Sequence, residues 1–384
     1  MMATSQVTLT HDTLQKTVQQ FCDTHIKPIA QEMDETNTFP RALWPTLGSL
    51  GLLGITIGKP YGGSELGYMS QVITMEAISR ASGALGLSYA AHSNLCANQL
   101  YRFGTEAQKT QYLPRLNSGE WLGGLAMSER EAGSDVINMQ LHAVEKADHF
   151  ILNGHKMWIT NGPTADVIIV YAKTKPDAGS HGMSCFIVEK TFPGFSANTK
   201  LNKLGMRGSD TGELIFNQCI VPKENLLGPL NEGLSLLMTG LDCERAVLAA
   251  GPLGLMQACL DIMLPYVKHR HQFKKSLGEF ELIQEKIANA YTLYQASKHY
   301  VYAAATLCDE NDITPEVAAS AYLFASENAT KIALDTIQCL GGNGYLNDCP
   351  AGRILRDAKL YEIGAGTTEI RRLIIARELL KQTL

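Results

Sequence analysis

The sequence lacks the features that mark several large classes of protein. None of its nine cysteines forms a CxxC pair, which argues against a disulfide framework or a cysteine-ligated metal site and favours a reducing compartment. No apolar run approaches the roughly 18 residues of a membrane span, and the N-terminus resembles neither a signal peptide nor an arginine-rich transit peptide. We therefore expect a bacterial cytoplasmic protein or a processed chain of the mitochondrial matrix.

Charge is also scarce. Charged residues make up 18% of the 384 residues and the net charge is −5, which argues against nucleic-acid binding through a basic surface. No GxGxxG sequence follows an N-terminal strand, so a nicotinamide-binding domain is poorly supported. The 45% of hydrophobic residues, in contrast, suffices for the core of two or three domains.

Three blocks of sequence differ in their periodicity. Residues 1–120 carry apolar residues at helical spacing, residues 121–230 carry short runs of strand type, and residues 231–384 carry long apolar helices. This order predicts an α+β protein with an N-terminal helical domain, a middle antiparallel β domain and a C-terminal helical domain.

Local signals predict several helix ends. Thr105–Gln108 is a capping box that begins one helix. Thr314-Pro315 begins another helix, which Gly341 ends. A long apolar helix from Leu234 to Tyr266 is expected to break or kink at Pro252.

Turn signals separate the strands of the middle block. Asn153-Gly154 predicts a tight hairpin, and Asn161-Gly162 predicts a second turn. The runs of strand type are Leu122–Met127, Phe150–Leu152, Met157–Thr160, Val167–Tyr171, Ser184–Val188 and Leu214–Phe216.

Several segments could bind a ligand, and each also has a simpler interpretation. Trp158 and Thr160 share one face of a strand and could cover and bond a flat aromatic ring, or could belong to the core. Residues 128–135 could present donors to a ligand or form a plain turn. Arg270 could bind a pyrophosphate or be a solvated helix end. The glycines of 338–345 could approach a ligand or form a surface turn.

Glu244 lies inside the long apolar helix. A carboxylate on such a helix would be partly desolvated, which raises its pKa and suits it to proton abstraction. The alternative is an ion pair with Arg245 or with a lysine.

The segment Tyr361–Glu369 has two glycines in three residues, which let the backbone approach a ligand closely. Thr367 and Thr368 offer N-caps for a helix beginning at Glu369, whose free N–H groups favour an anion. The pattern predicts a loop around a small, partly phosphorylated ligand.

Taken together and in this order, the segments resemble the flavin-dependent acyl-CoA dehydrogenase family over nearly the whole chain. The resemblance rests on Met127–Glu129, Ala132–Asp135, Met157–Gly162, Leu204–Ser209, Gln338–Tyr345 and Tyr361–Glu369. Two further stretches, Gly86–Asn94 and Gly251–Met256, resemble the isovaleryl branch of that family.

The resemblance implies a C-terminal four-helix bundle, FAD as cofactor and an acyl-CoA substrate that loses two hydrogens across Cα–Cβ. It implies conversion of isovaleryl-CoA to 3-methylcrotonyl-CoA in leucine degradation, with hydride passing to flavin N5. Electron-transferring flavoprotein would be the acceptor, and the chain would form a homotetramer. The alternatives are another branched acyl-CoA (citronellyl- or 2-methylbutyryl-CoA), an acyl-CoA oxidase, and a catalytically silent binding protein.

Binding residues are implied by the same matching. Those for FAD are Leu125, Met127, Ser128, Ser134, Trp158, Thr160, Arg270, Gln338, Gly341, Gly342, Thr367 and Glu369. Those for the acyl-CoA are Ser134, Ser180, Asp242, Arg245, Ala365 and Gly366. Four of the FAD residues would act across a subunit boundary, namely Arg270, Gln338, Gly341 and Gly342.

The position of the catalytic base is also implied. Many members of the family carry a glutamate at the position matched by Ala365, whereas the isovaleryl branch carries it at the position matched by Glu244. The resemblance therefore favours Glu244 as the α-proton base over the ion-pair interpretation. The Ala365 N–H would polarise the thioester carbonyl. Glu362 and Glu369 are the fallback candidates.

Some residues depart from the family pattern. Arg130 and Glu131 replace part of its Glu-Pro-x-Ala-Gly-Ser sequence, and Glu281 replaces a glutamine expected near the FAD of a neighbouring subunit. Ser235 stands where the isovaleryl branch often has a tyrosine, so a longer or differently branched acyl chain could fit.

Overall fold

Long helices at both ends of the chain enclose one central sheet. The computed structural model describes residues 10–198 and 200–381, except for the side chain of Ser180. The α-helices are α1 His11–Phe21, α2 Ala30–Thr36, α3 Trp44–Ser49, α4 Gly67–Ala81, α5 Gly83–Ala90, α6 Gln99–Phe103, α7 Glu106–Asn117, α8 Gly233–Leu248, α9 Ala250–His269, α10 Glu281–Asp309, α11 Pro315–Leu340, α12 Pro350–Tyr361 and α13 Thr368–Lys381. Two π-helices follow α1 and α5, at Cys22–Ile26 and Ala91–Asn98.

The predicted helix ends are confirmed. Both hydrogen bonds of the Thr105–Gln108 capping box are present at the start of α7. Gly341 ends α11 with a φ of +59°, which favours glycine. The long apolar helix breaks at Ala249, between α8 and α9, because Pro252 has no N–H to donate to the carbonyl of Leu248.

The stretch Gly233–His269 is long and apolar enough to cross a membrane, with a mean hydropathy of 1.7 over an 18-residue window. This property is contrary to the expectation that no segment approaches a membrane span. However, 78% of the window is buried inside the protein, where α9 packs against α4 and α11. A helix that is apolar all round and buried is typical of a protein core.

The sheet is mixed rather than antiparallel. Its strands are β1 Gly123–Ala126, β2 His142–Glu145, β3 His149–Thr160, β4 Val167–Lys173, β5 Met183–Glu189, β6 Phe195–Ala197, β7 Thr211–Pro222 and β8 Leu226–Leu227, and β9 His271–Gln272 pairs with β10 Lys275–Ser276 in a separate hairpin. The order is β6-β7-β3-β2-β4-β5-β8, with β1 beside β4. Most neighbours are antiparallel, as predicted, but β4 is parallel to both β1 and β2.

The Asn153-Gly154 pair does not form the predicted hairpin. It lies inside β3 as a β-bulge opposite β7, where Gly154 has a φ of +136°. The prediction is wrong because bulges and tight hairpin turns both use residues with positive φ. The Asn161-Gly162 turn is confirmed, with the Gly162 N–H donating to the carbonyl of Ile159 at 3.1 Å.

Strand β4 is buried on both faces because it separates two cores. Val167, Ile169 and Tyr171 face a core that includes residues of α7 and α8. Ile168 and Val170 face the opposite core, which includes residues of β3 and β7. This arrangement brings α8, which carries the candidate base, against the sheet.

The segment Leu204–Ser209 joins the sheet to the helices. The Met206 N–H donates to Asp357 Oδ1 in α12 at 2.5 Å, and Arg207 Nε donates to the carbonyl of Asp34 in α2 at 2.7 Å. These contacts fix the position of the sheet against two helices that are distant in sequence.

A buried ion pair connects the loop that follows β1 with β3. Lys156 Nζ lies 2.9 Å from Glu129 Oε1 and 2.8 Å from the carbonyl of Met127, and Lys156 is fully buried. Glu129 also accepts from the backbone N–H groups of Gln140 (2.6 Å) and Leu141 (3.0 Å). Removing either charge would therefore leave the other buried and poorly compensated.

We expect Lys156→Met to lower the free energy of unfolding by about 3–5 kcal/mol, because it leaves the Glu129 carboxylate buried without its cation. The double variant Lys156→Met/Glu129→Gln should recover part of this loss. Urea unfolding followed by circular dichroism measures the effect. The matched control is Lys223→Met, since the Lys223–Glu145 pair is 40% and 51% exposed and is worth about 1 kcal/mol or less. Equal losses at the two sites would contradict the prediction.

Candidate active site

Glu244 lies in the middle of α8 and is only 5% exposed. Within residues 10–198 and 200–381, its carboxyl group makes no hydrogen bond and no ion pair. Arg245, the expected partner in the ion-pair interpretation, donates instead from Nη1 to Asp242 Oδ1 at 3.0 Å. The structure therefore leaves Glu244 buried and unpaired.

Burial raises the pKa of Glu244 from its ordinary 4.5 to about 8, and the nearby Arg245 guanidinium opposes this shift only in part. Burial also raises the pKa of Asp242, against the influence of the same guanidinium. A carboxyl group whose pKa lies near neutrality can take up and release a proton at physiological pH. Glu244 thus has the properties of a general base.

Two tyrosines from different domains approach Glu244. Burial raises the pKa values of Tyr171 in β4 and Tyr322 in α11, and the charge of Glu244 adds to both shifts. The Tyr171 hydroxyl donates to Gln99 Oε1 at 2.7 Å, and the Tyr322 hydroxyl donates to the carbonyl of Gly364 at 3.3 Å. Tyr322 therefore lies between Glu244 and the loop that joins α12 to α13.

That loop presents free backbone donors. Ala365 has a φ of +53° and Gly366 a φ of +90°, and neither N–H group donates a hydrogen bond within the described residues. Thr367 Oγ1 accepts from the N–H of Ile370 at 3.3 Å, which confirms Thr367 as an N-cap. The helix begins at Thr368, one residue earlier than predicted.

The fallback bases are engaged elsewhere. Glu362 accepts hydrogen bonds from Thr330 Oγ1 and, at 2.7 Å, from Lys359 Nζ. Glu369 is exposed at the start of α13, where a hydrogen bond from its own backbone N–H lowers its pKa. Neither side chain is buried and unpaired as Glu244 is.

Trp158 and Thr160 lie near the end of β3. A β-bulge places Trp158 at a φ of +61°, and its indole is 51% exposed, so it is not a core tryptophan. The Met157 N–H donates to the carbonyl of Ser128 at 2.9 Å, which brings the end of β1 beside this strand. In the described part of the chain, the hydroxyls of Ser128 and Thr160 make no hydrogen bond.

The remaining predicted residues of the sheet region follow β1 or lie in its neighbouring turns. Leu125 and Met127 are half-buried in and just after β1, and Ser134 is exposed in the turn that follows. Ser180 belongs to the short helical segment Pro176–Gly182, and its side chain lies outside the described part of the structure.

Four predicted residues lie at the C-terminal ends of α9 and α11 or just after them, namely Arg270, Gln338, Gly341 and Gly342. All four are exposed, and a Cβ atom on either glycine would meet no atom within 4 Å. Asn343 Nδ2 donates to the Tyr266 hydroxyl at 2.7 Å, which holds the glycine loop against the last turns of α9. This group is open for contact with a ligand or with another subunit.

Three residues near Glu244 or the loop that follows α12 were not predicted from the sequence, namely Tyr171, Tyr322 and Arg371. They occur in ordinary core stretches of a strand and two helices and carry no local motif. Only the three-dimensional fold brings them to Glu244 and to the loop that follows α12.

One family matches almost the whole chain. Residues 8–120 match the N-terminal domain of acyl-CoA dehydrogenase, residues 124–219 its middle domain and residues 231–380 its C-terminal domain. The chain belongs to the acyl-CoA dehydrogenase family. It is therefore an FAD-dependent oxidoreductase of acyl-CoA, and the predicted helical–β–helical architecture is confirmed.

The relatives of this acyl-CoA dehydrogenase include two named for isovaleryl-CoA. The mitochondrial isovaleryl-CoA dehydrogenase of Pongo abelii is 59% identical over 95% of this chain and 87% of its own length. That of Solanum tuberosum is 56% identical over 97% of this chain and 91% of its own length. A mitochondrial 2-methylacyl-CoA dehydrogenase of Solanum tuberosum is 54% identical over 97% of this chain and 91% of its own length.

Solved structures share the fold over nearly their full length. A glutaryl-coenzyme A dehydrogenase in complex with glutaryl-CoA has a TM-score of 0.95 and 38% identity, covering 99% of this chain and 97% of that chain. The FAD complex of PigA has a TM-score of 0.93 and 30% identity, covering 98% and 99%. A chain from the structure of the electron transferring flavoprotein of Acidaminococcus fermentans has a TM-score of 0.95 and 37% identity, covering 98% and 99%.

The predicted FAD residues fit this cofactor on structural grounds. The exposed indole of Trp158 offers a flat surface, and the hydroxyls of Ser128 and Thr160 are free to bond the edge of a flavin ring. The donor set therefore suits a flat, acceptor-rich ring system.

We expect the raised pKa of Glu244 to make the protein less stable as pH rises. The folded state holds the proton more tightly than the unfolded chain, so this stabilising contribution is complete below about pH 4.5 and is lost up to about pH 8. The slope is about 1.4 kcal/mol per pH unit. Glu244→Gln should remove this pH dependence. The variant should be more stable than the wild type at pH 8 but not at pH 4.5.

Urea unfolding of the wild type and of the variant at several pH values measures this difference. Glu120→Gln is the matched control, since the Glu120 side chain is 62% exposed and should change neither slope nor stability. Parallel pH profiles for the wild type and Glu244→Gln would contradict the raised pKa.

Proposed function

We propose that this acyl-CoA dehydrogenase converts isovaleryl-CoA to 3-methylcrotonyl-CoA in leucine degradation, with Glu244 as the base that takes the α-proton. The observation that carries the proposal is the buried and unpaired Glu244 carboxyl, in a chain with alanine at position 365. The relatives named isovaleryl-CoA dehydrogenase, at 56% and 59% identity, support the substrate.

The chemistry requires a base and a polarised carbonyl. The α-proton of a thioester is weakly acidic, so negative charge that develops on the carbonyl oxygen must be stabilised as the proton leaves. Glu244 takes the proton, and its raised pKa makes its carboxylate a stronger base than an exposed one. The free Ala365 N–H donates to the thioester oxygen. Bound FAD, held by the residues named in the next paragraph, would supply the acceptor for the β-hydride and the route of the electrons to electron-transferring flavoprotein.

The other predicted residues bind and orient the ligands. Residues for the flavin ring and its surroundings are Leu125, Met127, Ser128, Ser134, Trp158 and Thr160. Residues for the pyrophosphate or adenosine are Arg270, Gln338, Gly341 and Gly342, and the loop adds Thr367 and Glu369 for FAD. Residues for the acyl-CoA are Ser134, Ser180, Asp242, Arg245, Ala365 and Gly366.

A homotetramer would complete the cofactor site. Arg270, Gln338 and the glycines at 341 and 342 are exposed in the single chain, which supports their use across a subunit boundary. The relationship to a chain in a structure of an electron transferring flavoprotein supports that acceptor. The mitochondrial relatives are consistent with a matrix location, and the bacterial cytoplasm stays the other predicted location.

A second candidate substrate is a 2-methylacyl-CoA. The relative of that name is 54% identical over 97% of this chain, almost as similar as the isovaleryl-CoA enzymes. Ser235, where the isovaleryl branch often has a tyrosine, also favours an acyl chain of different shape. The two substrates differ by the carbon that carries the methyl branch.

We expect Glu244→Gln to retain bound FAD and lose turnover by about 10²–10⁴-fold, because glutamine fills the same space but cannot accept the proton. Flavin absorbance of the purified variant measures cofactor content, and reduction of an artificial electron acceptor measures turnover. Glu362→Gln is the matched control, since it removes a carboxylate from the loop. Loss of turnover in the control alone would assign the base to the loop instead.

We expect isovaleryl-CoA to give the highest kcat/KM in a panel that also contains isobutyryl-, 2-methylbutyryl-, butyryl-, octanoyl- and citronellyl-CoA. An artificial electron acceptor reports each turnover. A higher value for 2-methylbutyryl- or citronellyl-CoA would replace the proposed substrate but not the reaction. Rapid peroxide formation without any acceptor would identify an oxidase.

A further inference from the structure

Arg371 in α13 is a buried cation without a carboxylate partner. It is fully buried, and it forms no ion pair within the described part of the chain. Its Nη1 donates to Ser326 Oγ at 2.9 Å, and its Nη2 donates to the carbonyls of Tyr361 (2.6 Å) and Gly364 (2.8 Å). Because burying a charge is costly, a guanidinium that is buried against two neutral carbonyls suggests a specific function for this side chain.

Tyr322 completes this arrangement from α11. Its ring centroid lies 3.5 Å from Arg371 Cζ, a cation–π contact that orients the guanidinium. Its hydroxyl donates to the carbonyl of Gly364 at 3.3 Å. The Gly364 oxygen therefore accepts two hydrogen bonds, and the one from the cation is the stronger type.

The Gly364 carbonyl and the Ala365 N–H belong to the same peptide group. Resonance couples the two ends of a planar amide, so hydrogen bonds to the oxygen withdraw electron density from the nitrogen. The N–H then becomes a stronger donor, as in any chain of polarised hydrogen bonds. The Ala365 N–H is itself unpartnered among the described residues, so it is available to a ligand.

We propose that Arg371 and Tyr322 polarise this peptide group, so that the Ala365 N–H stabilises negative charge on the thioester oxygen more strongly than an ordinary backbone N–H. The inference rests on the proposed function, in which that N–H contacts the thioester carbonyl. Arg371 and Tyr322 are positioning residues here, because they act through the peptide group and not on the substrate.

A purely structural role predicts something different. Tyr361 is the last residue of α12, and a cation at the carbonyl end of a helix stabilises that helix. If capping were the whole role, loss of Arg371 would lower the melting temperature but would leave a bound carbonyl unchanged. If the peptide group is polarised, loss of Arg371 also changes the frequency of the bound thioester carbonyl. Loss of a bond that strengthens as charge develops also lowers kcat more than it raises KM.

The test is infrared spectroscopy of the product, 3-methylcrotonyl-CoA labelled with ¹³C at its thioester carbonyl, bound to the oxidised FAD-loaded enzyme. This complex has no substrate hydrogens to transfer, so it does not turn over. Binding to the wild type should shift the carbonyl band to lower frequency. Tyr322→Phe should reduce the shift by about 10–30%, the cooperative contribution of one hydrogen bond. Arg371→Gln should reduce it further, and Arg371→Lys should retain part of it.

Thr330→Val is the matched control, because Thr330 bonds Glu362 in the same loop without contacting the Gly364 carbonyl. It should leave the shift unchanged. If Tyr322→Phe and Arg371→Gln retain FAD and shift the carbonyl band as far as the wild type does, the proposal is overturned and the proposed function stays intact. Tyr322→Phe decides alone if Arg371→Gln does not fold. If binding to the wild type does not shift the carbonyl band, the Ala365 N–H does not bond the thioester carbonyl, and the proposal falls with that assignment.

Discussion

A carboxylate that must act as a base has to be kept dry and apart from any cation. A direct salt bridge would stabilise its charge, lower its pKa and weaken it as a base. Helix α8 meets this constraint by placing Glu244 against β4 and α11, with Arg245 turned to Asp242. The burial of β4 on both faces and the packing of α8 against the sheet contribute to the burial of this carboxyl group.

The cations of this region are each held by other groups. Lys156, in the strand that also carries Trp158, bonds Glu129, and Arg371 bonds the carbonyls at the end of α12. This separation has a chemical consequence. Positive charge in direct contact with Glu244 would oppose the proposed proton abstraction. Charge transmitted through the Gly364–Ala365 peptide group would instead stabilise the thioester oxygen, where negative charge develops in the proposed reaction.

Elements with a local signal could be predicted from the sequence. The capping box at 105–108, the glycine after α11 and the break before Pro252 each depend on a few neighbouring residues. The Asn153-Gly154 pair failed because one signal, a positive φ, serves both a hairpin and a bulge. The parallel pairing of β1 with β4 depends on the path of the whole chain. Likewise, Glu244 could be proposed from its helix, but Tyr322 and Arg371 gain their roles only from tertiary contacts.

Free backbone donors alone do not distinguish a binding loop from a structural one, as two segments of this chain show. Residues 204–209 and 361–369 are both polar and rich in glycine, so composition does not separate them. In the first segment, the N–H groups of Met206 and Gly208 bond Asp357 and Asn37. In the second segment, two adjacent N–H groups, at Ala365 and Gly366, stay free among the described residues. The N–H groups of Leu204 and Gly205 donate no hydrogen bond among these residues either. The two segments differ instead in their surroundings, because the carbonyl of Gly364, next to Ala365, accepts from Tyr322, and the charge of Glu244 raises the pKa of that tyrosine.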